Sequence, residues 1–410
     1  MPARMAAVDA QFYWMSAKIP NDQFLLYAFA GEPADAARAI DDAVRRARAC
    51  KALTIRVSDG SPLTYPRWVP MPVEPPRVHH LDDAGWRGCL DAVMRLVDDQ
   101  LDVRRSPWRL HLFAPVHDIP GSGGPGSVAV LQVAHALADG ARASAMAGWL
   151  FGRAEPVPDV SAPSAGFLPW RAFEAARAHR QLVRDMAAGV LEKPAESRPA
   201  LITNTRPAGA RAVRTLVRHR SQLPGPTVTV AVLRAVADAL SDYLGGVAGS
   251  LGAEVPMIKP GARQAHNHFR NVTVGLYPDL PREARTERIV AELADVRRRA
   301  EHPAARAADR AFAAVPAALL RWGVAQFDVD ARPTLVSGNT VVSSVHRGPA
   351  DLHLGDAPVL LTAGFPALSP AMGLTHGVHG IGDTVAISVH AAESAIGDID
   401  AYVQALESAL

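Results

Sequence analysis

A nearly unbroken apolar run, Ser127-Val128-Ala129-Val130-Leu131-Gln132-Val133, leads straight into Ala134-His135-Ala136-Leu137-Ala138-Asp139-Gly140. The run follows a Gly/Pro-rich turn and has the pattern of a strand buried on both faces. From Ala141 to Phe151 the chain is rich in Ala, Leu and Met, which favours a helix. The heptapeptide therefore occupies a strand-to-helix turn, where a side chain can leave a rigid sheet and enter a cleft. That unit calls for a mixed α/β fold.

Two residues of the turn carry chemistry. Imidazole is the side chain best suited to accept a proton near neutral pH, so His135 is the candidate general base. Asp139 is the second candidate: its carboxylate either accepts from His135 or anchors the turn by pairing with a distant arginine. Gly140 permits the tight backbone that the turn requires. A lone histidine near a strand end is more often structural than catalytic, so the case for His135 rests on the rest of the chain.

At 410 residues the chain is long enough for two domains of ordinary size. Hydrophobic residues make up 49% and charged residues 20%, the balance of a folded globular protein. Lys and Arg number 43 against 41 Asp and Glu, so no global field recruits nucleic acid. The two cysteines, Cys50 and Cys89, have neither metal-type spacing nor the number for a disulfide framework, which fits a reducing cytoplasm. Met1-Pro2-Ala3-Arg4 lacks the apolar stretch of a signal peptide, and no segment approaches the roughly 20 apolar residues of a membrane span. The expected location is cytoplasmic, with any contact to lipid made from the surface, at the inner membrane face or a lipid droplet.

Residues 1 to about 30 suggest a first strand ending near Gly31, and Pro33 to Leu53 a helix with one solvated face. Val73 to His80 is extended, Trp86 to Asp102 an amphipathic helix, and Trp108 to Val116 a strand joined to the Ser127 run by the turn Pro120 to Gly126. Pro156 to Pro199 has Pro/Ser/Ala-rich ends around a helical stretch, Trp170 to Leu191, as expected of a crossover between domains. Beyond it, Ala212 to Arg220 predicts a strand and Val228 to Leu244 a helix ended by Gly245-Gly246. Further strands are expected at Glu254 to Lys259, Asn271 to Tyr277, Thr340 to Val345, Pro358 to Pro366 and Thr384 to His390. Helices fit Arg282 to Glu301, Ala307 to Phe327 and Ile399 to Leu410. The division is thus 1–155 for an N-terminal domain, 156–199 for the crossover and 200–410 for a C-terminal domain of similar strand and helix content.

Other signals are weaker. Gly121-Ser122-Gly123-Gly124-Pro125-Gly126 matches a dinucleotide fingerprint by letter but precedes a strand and opens no helix. Ala248-Gly249-Ser250-Leu251-Gly252 approaches a nucleophile elbow, yet it follows a helix end and lacks the first glycine. His79-His80, His266 with His268, and His376 with His379 have no helical i,i+4 pairing and no cysteine partners, so they are expected as solvated or turn histidines and no metal is assigned. Arg297-Arg298-Arg299 fits the solvated end of a helix, with contact to CoA phosphates as the alternative.

Five stretches in one order resemble the bacterial wax ester synthase/diacylglycerol acyltransferase family, which groups with chloramphenicol acetyltransferase and the nonribosomal condensation domains. Ala7-Val8-Asp9-Ala10-Gln11-Phe12 looks like the family's Ser-Pro-x-Asp-x-x-Phe start, and Leu101 to Leu112, with Pro107-Trp108, like its Leu-Asp-x-x-x-Pro-Leu-Trp block. The His135 motif, the segment Arg270-Asn271-Val272 through Leu280-Pro281, and Asn339 to Pro349 complete the set. The last resembles Val-Ser-Asn-Val-Pro-Gly-Pro with a small insertion. The chain departs from the family at Ala134, where a second histidine is usual, at Thr229-Val230 for Asn-Asp, at Arg270 for Gly, and at Ser344 for Asn.

The resemblance implies two chloramphenicol-acetyltransferase-like domains, with mixed sheets flanked by helices and an active-site tunnel at their interface. It implies transfer of a long-chain acyl group from acyl-CoA, the co-substrate, to a diacylglycerol or fatty alcohol, with His135 as base and no resident cofactor. Asn271, Ser343 or Ser344 would supply the oxyanion donor, beside Gly140. Asp139 would pair with Arg263 or Lys259, of which arginine matches a carboxylate better. Two alternatives stay open: a catalytically weakened paralogue that binds acyl chains or a partner, and an acyltransferase that takes its donor from a carrier protein and acts on a polyketide or glycolipid hydroxyl.

Overall fold

The computed structural model describes residues 3–161, 166–246 and 250–410. Two six-stranded mixed sheets dominate it. In the first, the strands run in the order His353–Leu354, Ala357–Phe365, Gln23–Phe29, Gly126–Val133, Trp108–Val116, Arg77–His79. In the second the order is Phe269–Gly275, Gly252–Ile258, Thr340–His346, Leu374–Ile381, Thr384–Ala392, Arg211–His219. The expected α/β class with two similar sheets is what the chain adopts.

The sheets are not independent. The hairpin from His353 to Phe365 belongs by sequence to the 200–410 half, yet Ala357–Phe365 pairs antiparallel with Gln23–Phe29 of the first sheet. The division at residues 155 and 200 is therefore crossed by one excursion of the chain. At the seam the backbones nearly touch: a Cβ on Gly377 would lie 2.1 Å from the Gly364 carbonyl oxygen, so only glycine allows the approach. A core of both halves covers the seam, with Leu90 and Val93 of the helix Trp86–Leu96 packed among Leu26, Leu361, Val213 and Ala386.

Local sequence explains most elements. Asp35, Asp139, Thr227 and Asp398 each cap a helix by accepting from a backbone N–H three residues on, at 2.9, 2.9, 3.2 and 2.9 Å. Gly245 and Gly246, at φ 75° and 81°, end the helix Val228–Tyr243. Two expectations need correction, and one strand escaped the sequence reading. The first thirty residues hold a helix, Ala7–Ser16, before the strand Gln23–Phe29. The stretch Ala307 to Phe327 divides into Pro303–Ala313 and Ala317–Ala325, because Pro316 cannot continue a helix. Leu374–Ile381 is a strand buried at all eight positions, with no alternation to reveal it and with two Gly and two His interrupting its β-branched residues. The near-elbow at 248–252 begins outside the described residues. Among the described residues no helix is long and apolar enough to cross a membrane.

Candidate active site

Between the sheets lies a cavity of about 1140 Å³ lined from both halves of the chain. His135, Asp139 and Gly140 border it on one side, and Asn271, Ser343 and Ser344 on the other. The sequence-predicted residues thus converge on one space, although Asn271 is more than 130 positions and Ser343 and Ser344 more than 200 positions from the His135 turn.

His135 is held in one orientation by contacts that its own motif does not supply. Its ring is stacked on Phe12, with centroids 4.1 Å apart and planes 7° from parallel, and on Phe269 at 5.5 Å. Its Nδ1 lies 2.9 Å from Asn267 Oδ1. The Asn267 amide can point only one way: Nδ2 donates to the His135 carbonyl at 2.7 Å and to Asp9 Oδ1 at 3.0 Å. Asn267 Oδ1 must therefore accept, Nδ1 of His135 carries the ring proton, and Nε2 keeps its lone pair. Asp9 closes the set, accepting also from the backbone N–H groups of His266 at 3.0 Å and Asn267 at 2.9 Å. Burial raises the Asp9 carboxyl to about 6, against these hydrogen bonds.

Burial also lowers the His135 pKa below the ordinary imidazole value, opposed by hydrogen bonds to the ring and by the charge of Asp139. The ring is therefore neutral at pH 7. Nε2 has no hydrogen-bond partner among the described residues, and His135 lines the cavity. A hydroxyl brought to that nitrogen meets a base ready to accept its proton.

Asp139 does not contact His135. Its carboxylate receives a bidentate pair from Arg263, at 2.7 and 3.1 Å, and the backbone N–H of His268 at 2.8 Å, while capping the following helix. Burial alone would raise this carboxyl, but Arg263 and the backbone donors more than reverse the effect and hold it below the usual carboxylate range. Of the two partners the sequence offered, Arg263 takes the role, and Lys259 pairs with Asp309 instead. Asp139 fixes the turn, and the turn carries His135.

The oxyanion candidates separate by geometry. Ser344 Oγ accepts from Thr229 Oγ1 at 3.0 Å, and Asn271 Nδ2 is directed to Glu254 at 3.4 Å. Ser343 Oγ has no hydrogen-bond partner among the described residues and lines the cavity. It shares a strand face with Val345, whose methyl lies 3.6 Å from where a Cβ on Gly140 would stand. A side chain at position 140 would press on that strand.

Of the three histidine pairs expected to be solvated or in turns, His80 is exposed and His79 half-buried, but the other two pairs are not solvated. His266, His268, His376 and His379 are all buried. His266 stacks on Trp68 at 4.8 Å, and His376 bridges Thr340 and Tyr402. Sequence reasoning missed Asn267 as a partner of His135, since the run His266-Asn267-His268 drew attention only as a possible metal set. It quoted Asp9 and Phe12 within the opening block without a role.

Comparison with known proteins agrees with the fold. Residues 267–410 match the WS/DGAT C-terminal domain. No curated protein matches the chain in sequence. Among solved structures, the wax ester synthase/diacylglycerol acyltransferase from Marinobacter aquaeolei VT8 is similar over 99% of this chain and 98% of its own, at 18% identity and a TM-score of 0.64. The first condensation domain of the CDA synthetase is similar over 100% and 96%, at 15% identity and a TM-score of 0.60. The starter condensation domain of rhizomide synthetase, solved with C8-CoA, covers 100% of this chain at 13% identity and a TM-score of 0.61. The chain thus shares the two-sheet fold of these proteins and carries a match to the WS/DGAT C-terminal domain over residues 267–410. The resemblance to the wax ester synthase/diacylglycerol acyltransferase family drawn from the sequence holds.

Proposed function

We propose that the protein transfers a long-chain acyl group from an acyl-CoA thioester to the hydroxyl of a fatty alcohol or diacylglycerol. The observation that carries this reading is the orientation of His135: Nδ1 is committed to Asn267, and Nε2 is free in a largely apolar cavity. His135 Nε2 takes the hydroxyl proton as the oxygen attacks the thioester carbon. The tetrahedral intermediate collapses, the C–S bond breaks, and the imidazolium returns the proton to the departing thiolate. Ser343 Oγ–H is the donor best placed to stabilise the oxyanion. Holding both substrates in one cavity supplies much of the rate.

Neither a resident cofactor nor a covalent enzyme intermediate is required, because a thiolate is already a good leaving group. Asn267 and Asp9 act by positioning the base, and Asp139 with Arg263 by holding its turn. The ordered set around His135 favours a working enzyme over a weakened paralogue. Peripheral contact with a membrane or lipid droplet would bring such substrates to the cavity.

The test is release of free CoA from palmitoyl-CoA with hexadecanol or a diacylglycerol present, beside His135→Ala. Alcohol-dependent release that disappears in the variant is expected. Release equal in both proteins, or none across several donors and acceptors, rejects the reading.

A further inference from the structure

Four residues beyond Ser343, the chain carries an arginine in the stretch where the sequence departs from the family block, His346-Arg347-Gly348-Pro349. Arg347 is only 5% exposed and lines the same cavity as His135. Its Nη1 donates to Thr362 Oγ1 and to the Ala363 carbonyl, the latter at 3.1 Å, and its guanidinium lies over the Tyr27 ring at 5.3 Å. Nε has no partner, and Nη2 makes no hydrogen bond among the described residues.

None of these contacts is a counter-charge. Arg347 forms no ion pair among the described residues, and the nine residues outside the description include no Asp or Glu. Asp351, four residues on, is engaged by Arg153 at 2.6 Å. His379, which also lines the cavity, is held neutral by burial and by the charge of Arg347 itself. A buried cation without an anion is costly, and proteins pair such charges or neutralise them with a ligand. Guanidinium geometry suits a carboxylate, and one fixed charge suits a monoanion.

We propose that Arg347 is the anion-recognition residue of the cavity, and that one of the two substrates carries a carboxylate which it binds. The site rests on the acyl-transfer reading only for what fills the cavity. The carboxylate belongs either to the acceptor, a hydroxy acid, or to the far end of the donor chain, a diacid thioester. Ser343 lies within the strand Thr340–His346 and Arg347 just past its end, so the proposal assigns the acid to a part of the substrate other than the reacting carbon.

Calorimetric binding of dodecanoate and of dodecanol to the full protein tests this directly, with Arg347→Met and Arg347→Lys alongside. Wild type is expected to prefer the acid by about tenfold or more, Arg347→Met by less than about twofold, and Arg347→Lys to keep an intermediate preference. Thr362→Val, which leaves the charge in place, should keep the preference and guards against a misfolded Arg347→Met. No preference in wild type, or one that survives in Arg347→Met, overturns the proposal. Transfer assays then locate the acid: 12-hydroxydodecanoate against dodecanol as acceptor, and dodecanedioyl-CoA against dodecanoyl-CoA as donor. A preference in the first pair assigns the carboxylate to the acceptor, and in the second to the donor. Acid-selective binding without any transfer would reject the catalytic reading alone, whereas His135-dependent transfer indifferent to the acid in both pairs would reject the Arg347 proposal alone.

Discussion

His135, half-buried at the cavity wall, and His376, fully buried, are both imidazoles whose pKa desolvation holds below the ordinary value, the second at about 4. Only one of them keeps a ring nitrogen free. His376 sits inside the strand Leu374–Ile381 with Nδ1 2.9 Å from Thr340 Oγ1 and Nε2 3.0 Å from Tyr402 Oη, so both ring nitrogens are used. His135 sits just past the end of the strand Gly126–Val133, where one nitrogen is fixed by Asn267 and the other faces the cavity. Burial and a lowered pKa are common to a structural histidine and a base; one satisfied and one free nitrogen distinguish them.

The comparison breaks most visibly at His135 itself. His135→Ala is expected to lower kcat by about 10³-fold, within the range for loss of a general base, with the fold intact by circular dichroism. Asn267→Ala comes next. It frees the ring to rotate, removes the acceptor that selects the tautomer, and strips Asp9 of a donor, so kcat should fall by about 10²-fold with KM little changed. A fall equal to that of His135→Ala would mean that Asn267 does more than orient the ring.

Arg263→Met separates turn stability from chemistry. It leaves the Asp139 carboxylate buried and unpaired, and unfolding free energy should drop by about 3–5 kcal/mol in denaturant titrations. Residual kcat at low temperature should still exceed that of His135→Ala. His111, His376 and His390 are held at about 4, and His135, His266 and His379 also lie below 6.5. Between about 4 and 6.5 the unfolded chain binds protons that the fold excludes, so these groups lose stability as pH falls. Asp9 and Asp22, raised to about 6, act in the opposite sense, since the fold takes up their protons first. His79 and His268 are lowered as well and Glu254 is raised, and eight imidazoles against three carboxyls predict a melting temperature that declines from pH 6.5 to pH 4. The smallest effect is expected for His376→Gln, whose kcat should stay within about threefold of wild type while stability falls by about 1–3 kcal/mol.

The strand-to-helix turn at His135 was legible because a doubly buried strand, a flexible glycine and an Ala-rich helix follow one another in sequence. Its anchoring by Arg263 was legible from the resemblance. The partners of the base were not, since Asn267, Asp9 and Phe12 reach His135 only through the packing of the helix Ala7–Ser16 and the loop before Phe269–Gly275. Nor could local pattern reveal that Ala357–Phe365 leaves its own half to join the first sheet, because strand pairing is decided by which edge is free. Leu374–Ile381 escaped for a related reason: where both faces are buried, periodicity carries no signal.

The central claim concerns one proton on one ring, and nitrogen chemical shifts report it. In protein labelled with ¹⁵N at histidine, the His135 resonances, identified by their loss in His135→Gln, should show a neutral ring with the proton on Nδ1 at pH 7. That tautomer should persist below pH 6.5 and become mixed in Asn267→Ala. A proton on Nε2, or a ring already cationic at pH 7, would contradict the account, because the nitrogen facing the cavity could not then accept a proton from a hydroxyl.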